Sequence, residues 1–254
     1  MKVDFLGIPV CGFTLDEIVD WIITHAKETD PRVVYGLNAH SVNTAFKCRD
    51  YWNALQRADV VYCDGISVLW GSKLLRTPIP EKLTTTDFFY PVLERAEKEG
   101  LSIYILGAEP GIAEQAAENV RDKYPDLEIK GTHSGFFLSM EEEMQIVSEI
   151  SNLCPNMLWV GMGNPVQELW VEKHLNDLQV PVCLTCGGML NIISGNLSRP
   201  PQWVSHAGFE WAYRLVTNPR YTWRRYLIGN VLFLSRLFSC WITGKSPKPH
   251  DTNQ

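Results

Sequence analysis

Apolar runs alternate with amphipathic segments along most of the chain. The segments between the runs repeat apolar residues every three or four positions, which predicts helices. The runs themselves are almost continuously apolar, as in strands covered on both faces: RVVYGLN, DVVYC, LSIYILG, MLWVGMG and VPVCLTCGG. This alternation predicts a Rossmann-like α/β fold, with a mainly parallel sheet and helices on both faces.

The two ends of the chain depart from this alternation. At the N-terminus, DFLGIPVCGFT predicts two short strands and a turn, and Thr14 with Glu17 forms the capping-box pattern of a following helix. From Met189 onwards the pattern predicts only helices, interrupted at Arg199-Pro200-Pro201. We therefore predict a Rossmann-like body over 1–198, a helical appendage over 199–245 and a disordered tail over 246–254.

Charge divides the chain at the same boundary. Residues 1–198 contain 15 Lys and Arg against 27 Asp and Glu, whereas residues 199–254 contain 8 against 2. The basic end also carries Trp203, Trp211, Trp223 and Trp241. A basic, Trp-rich end indicates an anionic partner: a membrane surface, a phosphorylated ligand or nucleic acid. Nucleic acid fits worst because the acidic body would repel it. A basic helix that simply packs on the acidic body is the alternative.

The same end contains the apolar stretch RRYLIGNVLFLSRLFSCWI. Asn230 and Arg236 interrupt it, so we expect it to be too short and too polar to span a membrane but able to lie in the interface. The N-terminus lacks the apolar core of a secretory signal. The seven scattered cysteines are typical of a reducing compartment. Together these features predict a cytoplasmic protein that binds the membrane peripherally.

Glycines follow three of the predicted strands, at the sheet edge where ligands of such folds bind. Glycine turns at helix N-termini leave N–H groups free for a diphosphate. The alternative is that these glycines only permit tight turns. The turns lack a complete G-x-G-x-x-G or Walker A pattern, which disfavours NAD and ATP. The residues concerned are Gly107 and Gly111, Gly161 and Gly163, and Gly187 with Gly188.

Asp64 follows the strand DVVYC and precedes Gly65, so its carboxylate is a candidate general base towards a sugar hydroxyl. Its alternative role is an Asx turn or the N-cap of the next helix. Asn38, at another strand end, has the same capping alternative. Arg220 and Arg224 share a predicted helix face that could clamp a phosphate or merely snorkel.

Metal ligands are not evident. Cys183 and Cys186 lie three apart in a predicted strand, where such positions face opposite sides, so we interpret them as core cysteines. His40 and His133 are isolated, and no D-x-D sequence occurs. We therefore predict a site without metal.

Five strings occur in this order along the chain: LNAHSVNTA, ADVVYCDGISVLWGSKLL, KLTTTDFF, VGMGNPVQELWV and GNLSRPPQWVSHAGFEWAYRLVTNPRYTWRRY. They resemble the WecG/TagA/CpsF family of bacterial glycosyltransferases, glycosyltransferase family 26. The resemblance runs from about residue 3 to residue 242. It implies a Rossmann-like fold with a membrane-associating appendage, and metal-independent, inverting sugar transfer from a UDP-sugar to a polyprenyl-diphosphate-linked acceptor.

The resemblance also implies roles for particular residues. Asp64 matches the family's proposed base, Asn38 its strand-end asparagine and Gln167 its motif glutamine. The appendage arginines expected to meet the diphosphate are Arg214, Arg220 and Arg224. Three positions depart from the family pattern, which leaves the sugar open: His40 replaces an acid, Lys82 an arginine and Asn191 an aspartate.

The sequence thus predicts an enzyme of cell-surface polysaccharide synthesis on the inner face of the cytoplasmic membrane. The UDP diphosphate is expected on the Gly107–Gly111 or Gly161–Gly163 turn, with the sugar held by Asn38, Thr86 and Gln167. The resemblance implies that the transferred sugar is N-acetylmannosamine, N-acetylmannosaminuronic acid, glucose or similar. No cofactor is expected, since the UDP-sugar is a substrate, and a homo-oligomer is possible. A non-catalytic, nucleotide-binding module that docks at the membrane is the alternative.

Overall fold

The computed structural model describes residues 2–198, 201, 204, 210–217 and 219–247. The chain begins with an antiparallel hairpin of β1 (Lys2–Phe5) and β2 (Ile8–Cys11), as its broken apolar pattern predicted. Helix α1 (Leu15–His25) follows, and the capping box between Thr14 and Glu17 is formed.

A six-stranded sheet, parallel throughout, forms the centre of the body and confirms the predicted Rossmann-like class. Its strand order is β4-β3-β8-β7-β5-β6, so the last strand along the chain lies beside the first. Strand residues alternate between the two faces: Tyr35 points to one core and Val34 to the other. The strands are β3 (Arg32–Leu37), β4 (Val60–Cys63), β5 (Ser102–Gly107), β6 (Glu128–His133), β7 (Met157–Gly161) and β8 (Val182–Thr185).

Helices cover both faces of this sheet. One core contains side chains from α2 (Ala39–Ala45), α3 (Arg49–Arg57), α4 (Ile66–Leu74), α7 (Met140–Leu153) and α8 (Val166–Leu178). The other contains side chains from α1, α5 (Thr85–Lys98), α6 (Ile112–Lys123) and α9 (Met189–Ile193). The chain leaves β3 into a helix of the first face and the adjacent β8 into a helix of the second. Such a divergence opens a crevice at the carboxyl ends of the two strands.

Within the described residues, the predicted appendage contains three helices and one wide turn. They are α10 (Glu210–Thr217), α11 (Pro219–Trp223), a π-helical turn (Arg224–Ile228) and α12 (Gly229–Thr243). Much of the predicted boundary region, and residues 248–254 of the predicted disordered tail, lie outside the described residues. The division of the chain at residue 198 therefore stays a prediction.

Helix α12 packs one face on the body. Phe233 and Leu237 are buried, and the ring of Phe233 stacks on Phe5 of β1 at 6.3 Å between centroids. Asn43 of α2 donates to the carbonyl of Gly229 over 2.7 Å and accepts a hydrogen bond from Arg236. This face of α12 therefore packs on the body, as the alternative for the basic end of the chain predicted.

The opposite face of α12 is apolar and exposed. Its large side chains are Val231, Leu234, Phe238, Trp241 and Ile242, each more than half exposed. The segment Arg224–Thr243, with a mean hydropathy of 1.3, is long and apolar enough to cross a membrane by length and composition alone, contrary to the sequence-based expectation. The other face of the same helix is fixed to the body by Phe233 and Asn43.

Candidate active site

A cavity of about 260 Å³ opens at the carboxyl ends of β3, β4 and β8. The appendage borders it through residues of α10 and the π-helical turn. Asn38, Asp64, Thr86, Gly163 and Gln167, which were predicted from the sequence as site residues, all line this cavity. The fold thus brings together positions that lie up to 129 residues apart in the chain.

Asn38 and Asp64 form a pair at the adjacent ends of β3 and β4. Asn38 Nδ2 donates to Asp64 Oδ2 over 3.0 Å, and Asn38 Oδ1 accepts from the backbone N–H of His40 and Ser41. Asn38 therefore caps α2, as its alternative role predicted, and holds the Asp64 carboxylate as well. Asp64 itself is not the cap of α4, because Gly65 occupies that position.

Gly65 permits the close approach of this pair. A Cβ atom built at Gly65 would lie 3.0 Å from Cβ of Asn38 and 3.3 Å from its Cα, tighter than most real contacts. A larger residue would push the ends of β3 and β4 apart. The Asp-Gly sequence after β4 thus has a steric reason, since Gly65 leaves room for Asn38.

The loop before α5 and the start of that helix form a cationic, donor-rich side of the cavity. Thr84 caps α5 in a capping box with Asp87, and the hydroxyl groups of Thr84 and Thr86 lie 3.0 Å apart. Lys82 Nζ donates to Glu210 of α10 over 3.0 Å, which joins the body to the appendage beside the cavity. A helix N-terminus and a lysine together favour an anion.

Gln167 is held by protein atoms at both ends of its amide. Oε1 accepts from the backbone N–H of Gly163 (3.2 Å) and Gly187 (3.0 Å), and Nε2 donates to Glu168 over 2.7 Å. Burial raises the pKa of the Glu168 carboxyl to about 7, against the lowering effect of hydrogen bonds from Gln167 and its neighbours. Sequence reasoning assigned no role to Glu168, although it follows Gln167 directly.

Three of the predicted glycines, Gly107, Gly111 and Gly161, lie outside the lining of the cavity, whereas Gly187 and Gly188 line it. Gly107 and Gly161 pack against each other across β5 and β7: a Cβ at Gly107 would lie 2.5 Å from the Gly161 carbonyl oxygen. Gly111 begins α6 with φ +87° and open space around it. The N–H of Gly163, which does line the cavity, is already bonded to Gln167. Diphosphate binding by these turns stays a prediction.

Among the arginine side chains of the appendage that the structure describes, Arg225 borders the cavity, whereas the predicted Arg220 and Arg224 do not. Arg225 lines the cavity, and its Nε is buried with no hydrogen-bond partner among the described residues. Arg220 is exposed, and Arg224 is exposed with its guanidinium 5.2 Å from the Trp223 ring centroid. Arg214 lies on α10, and its side chain is outside the described part of the chain. The sequence offered no means of choosing Arg225, since it adjoins Arg224.

His40 lines the cavity next to the pair. Burial lowers the pKa of its imidazole to about 4, and the positive charges of Arg225 and Lys47 act in the same direction. The ring is therefore neutral at neutral pH. Asn191, the third departure from the family pattern, is absent from the lining residues, which include its neighbour Ile192.

Cys183 and Cys186 bear on the prediction that the site holds no metal. Cys183 and Cys186 are buried, and burial raises the pKa of both thiols, as expected for core residues. Within the described ranges, no three His, Cys, Asp or Glu side chains converge as a metal-binding group. Metal independence stays a prediction.

Fold and site together define an α/β protein with a carboxylate–amide pair at the sheet edge, facing cations from a loop and an appendage. The profile described as the glycosyl transferase WecG/TagA/CpsF family matches residues 3–247. The chain therefore belongs to this glycosyltransferase family, which confirms the resemblance drawn from the sequence.

Relatives with a named activity cover most of the chain. It is 30% identical over 209 residues to the N-acetylglucosaminyldiphosphoundecaprenol N-acetyl-beta-D-mannosaminyltransferase of Bacillus spizizenii strain W23, covering 80% of this chain and 77% of that one. Proteins of the same name from Bacillus subtilis strain 168 and Staphylococcus aureus strain NCTC 8325 are 27% and 26% identical. These alignments cover 87% and 88% of this chain, and 85% and 86% of the relatives.

Proposed function

We propose that this protein transfers a sugar from a UDP-sugar to a polyprenyl-diphosphate-linked acceptor, with inversion at the anomeric carbon and without a metal ion. The observation that carries this proposal is the Asn38–Asp64 pair, placed in a cavity that also contains Lys82 and Arg225. Family membership and the acceptor named for the relatives support it.

In this proposal Asp64 is the general base. Its carboxylate takes the proton of the acceptor hydroxyl while that oxygen forms a bond to the anomeric carbon of the donor sugar. The bond between that carbon and the UDP oxygen breaks, and UDP leaves with the electron pair. A positioned base of this kind contributes about 10²–10⁴-fold to a rate. Asn38 keeps the carboxylate turned towards the cavity.

The leaving diphosphate is assigned to the cationic side of the cavity. Lys82 has three N–H donors, of which Glu210 uses one, and Arg225 lines the same cavity with its guanidinium group. Thr86, which was predicted from the sequence to hold the sugar, is assigned to the diphosphate in this proposal, because at the start of α5 it adds a hydroxyl group and the positive end of the helix dipole. Stabilising the charge that develops on UDP is the contribution that such donors make to transfer.

The acceptor in this proposal is covalently linked to a lipid, so the enzyme is expected to work at the inner face of the cytoplasmic membrane. The exposed apolar face of α12, flanked by the exposed Arg220 and Arg224, supports peripheral binding to an anionic surface. The names of the relatives make N-acetylmannosamine the first donor sugar to test, on an acceptor that ends in N-acetylglucosamine diphosphate lipid.

The test is a panel of UDP-sugars with purified protein and a short-chain N-acetylglucosamine diphosphate lipid, read as UDP release with and without EDTA. Acceptor-dependent, EDTA-insensitive release with one sugar is expected, and it names the donor. EDTA-sensitive release would overturn metal independence. Tight UDP binding without release on any acceptor would favour the non-catalytic docking module instead.

A further inference from the structure

Glu168 is a buried carboxyl that borders the cavity and takes no part in the transfer step proposed above. It is the third residue of α8, and its side chain is only 1% exposed. Its neighbours are not cations but the amides of Gln167 and Asn164 and the hydroxyl of Thr185. Burying a carboxyl in such surroundings costs free energy, and only the hydrogen bonds that it accepts offset this cost.

Both carboxyl oxygens of Glu168 accept hydrogen bonds from side-chain amides. Gln167 Nε2 donates to Oε1 over 2.7 Å, and Asn164 Nδ2 donates to Oε2 over 3.2 Å. An amide side chain has a donor end and an acceptor end, whereas the oxygens of an ionised carboxylate, the form that Glu168 takes above its pKa of about 7, only accept. Glu168 therefore determines which end of the Gln167 amide points inwards.

The acceptor end of the Gln167 amide joins two loops of the sheet edge. Gly163 follows β7, Gly187 follows β8, and the backbone N–H of each donates to Gln167 Oε1. If the amide were reversed, its NH₂ group would face these two donors and both bonds would be lost. The orientation imposed by Glu168 thus fixes the distance between the two loops.

These loops form part of the wall of the cavity that contains the Asn38–Asp64 pair. Gly163, Gly187 and Gly188 line the same space as Asn38 and Asp64. The carboxylates of Asp64 and Glu168 also act on the same two buried phenols: burial is the main cause that raises the pKa of Tyr51 and Tyr62, and both carboxylates add to it.

We propose that Glu168 is a positioning residue for sugar transfer, which acts by fixing the Gln167 amide and, through it, the loops at Gly163 and Gly187. The inference rests on the proposed transfer reaction and adds a residue to it. Glu168 is not required to touch either substrate. Its effect on the rate comes from the shape of the wall against which the sugar lies.

Two variants test this role. Glu168→Gln is nearly isosteric but replaces one accepting oxygen with a donor, so either the Gln167 or the Asn164 amide loses its partner. The double variant Gln167→Glu with Glu168→Gln exchanges acid and amide. In it, the carboxylate at position 167 accepts from both glycine N–H groups and from the new amide at position 168. Glu172→Gln makes the same change one turn further along α8, outside the cavity lining, and serves as the control.

The expected result is a loss of kcat of at least about tenfold in Glu168→Gln, with recovery of most of it in the double variant. The control is expected to stay within about twofold of wild type. Equal melting temperatures of the single and double variants would exclude a purely structural cause. Wild-type kcat in Glu168→Gln, or a double variant no better than the single one, would overturn the proposal.

A second readout does not depend on activity. The backbone amide resonances of Gly163 and Gly187 are expected to shift in Glu168→Gln and to return towards their wild-type positions in the double variant. If the wild-type protein transferred no sugar, the proposed function would fail, and these resonances would still report whether Glu168 orients Gln167. Unshifted resonances in Glu168→Gln would refute the positioning role by themselves.

Discussion

The side-chain amide of Asn38 donates to Asp64 over 3.0 Å while its carbonyl oxygen caps helix α2. One residue thereby ties the orientation of the proposed base to the start of a helix. Because both ends of the amide are used, Asn38 has a single orientation. The carboxylate of Asp64 is thus placed by backbone structure and does not depend on a flexible neighbour.

Replacing Asp64 with Asn is expected to lower kcat by about 10²–10⁴-fold, because the amide cannot accept the proton of the acceptor hydroxyl. UDP affinity, measured by calorimetry, is expected to change less than about threefold, since the base contacts the acceptor side. Steady-state UDP release checks the first part. Turnover near the wild-type level would remove the assignment of Asp64 as the base.

Replacing Asn38 with Asp separates its two roles. Asp caps helices as well as Asn does, so α2 is expected to retain its stability within about 0.5 kcal/mol. A second carboxylate facing Asp64 repels it and removes its hydrogen-bond donor, which raises the pKa of the base and lowers kcat. The measurement is a pH–rate profile, whose rising limb should move to higher pH. An unchanged limb would argue against the pairing. Asn38→Ala removes both functions and should destabilise the fold by about 1 kcal/mol more.

Arg225 and Arg224 form a matched pair of neighbours. Only Arg225 lines the cavity, whereas Arg224 is exposed beside Trp223. Arg225→Gln is expected to weaken UDP-sugar binding about 10- to 100-fold, the loss of one charge-assisted hydrogen bond. Arg224→Gln should have little effect on it. Titration calorimetry with UDP compares the two, and the opposite order would return the diphosphate to the arginine predicted from the sequence.

The apolar face of α12 is expected to bind anionic vesicles. Leu234→Glu with Phe238→Glu places two charges on this face and should abolish co-flotation with phosphatidylglycerol vesicles, because each side chain is more than half exposed and can be changed without disturbing the fold. Ser235→Glu with Ser239→Glu adds the same charge at exposed polar positions of the same helix. If both double variants lose binding equally, the attachment is electrostatic and apolar insertion is disproved.

The raised pKa of Glu168 is expected to make the stability of the protein depend on pH. Since its pKa is raised from the ordinary 4.5 to about 7, the folded protein keeps a proton that the unfolded chain releases. This contribution is complete below pH 4.5 and is lost as the pH rises to about 7, by at most about 3 kcal/mol. The stability of Glu168→Gln lacks this term. Its unfolding free energy relative to wild type should therefore rise between these pH values in urea titrations.

His40 titrates with the opposite sign. Its lowered pKa means that the folded protein resists protonation, so stability is lost as the pH falls from 6.5 towards 4. This term is present in wild type and in Glu168→Gln alike and cancels in the comparison. A difference between the two proteins that does not change with pH would contradict the raised pKa of Glu168.

The sheet could be predicted because its strands are apolar on both faces and alternate with amphipathic helices, a local pattern. The site depends on which strands become neighbours. Strand β8 inserts beside β3, so Gly187 lies with Asn38 although 149 residues separate them. The order of the strands along the chain does not determine that β8 lies beside β3. Asp64 could be proposed as a site residue because an Asp-Gly pair after an apolar strand is a local pattern. That Asn38 both caps α2 and donates to Asp64 depends on the neighbouring strands and could not be predicted.

The arginine prediction rested on the family resemblance, and helical spacing only placed Arg220 and Arg224 on one face. Both side chains are exposed, in agreement with a shared face, and the roles predicted for them stay predictions. Arg225 lies in the π-helical turn over Arg224–Ile228, and such wide turns have no clear sequence signal. Glu168 was missed for another reason: in a sequence, a first-turn glutamate resembles one that merely favours the helix dipole.

Helix α12 has apolar residues on both sides, and this has a practical consequence for anyone who shortens the protein. A chain cut after residue 198 to improve solubility would lose the exposed face, but it would also uncover Phe5 and the backbone of Gly71, on which Phe233 and Leu237 rest. Apolar surface newly opened to water promotes aggregation. Polar substitutions on the exposed face of α12 alone are therefore expected to improve solubility for crystallisation or calorimetry without uncovering the core.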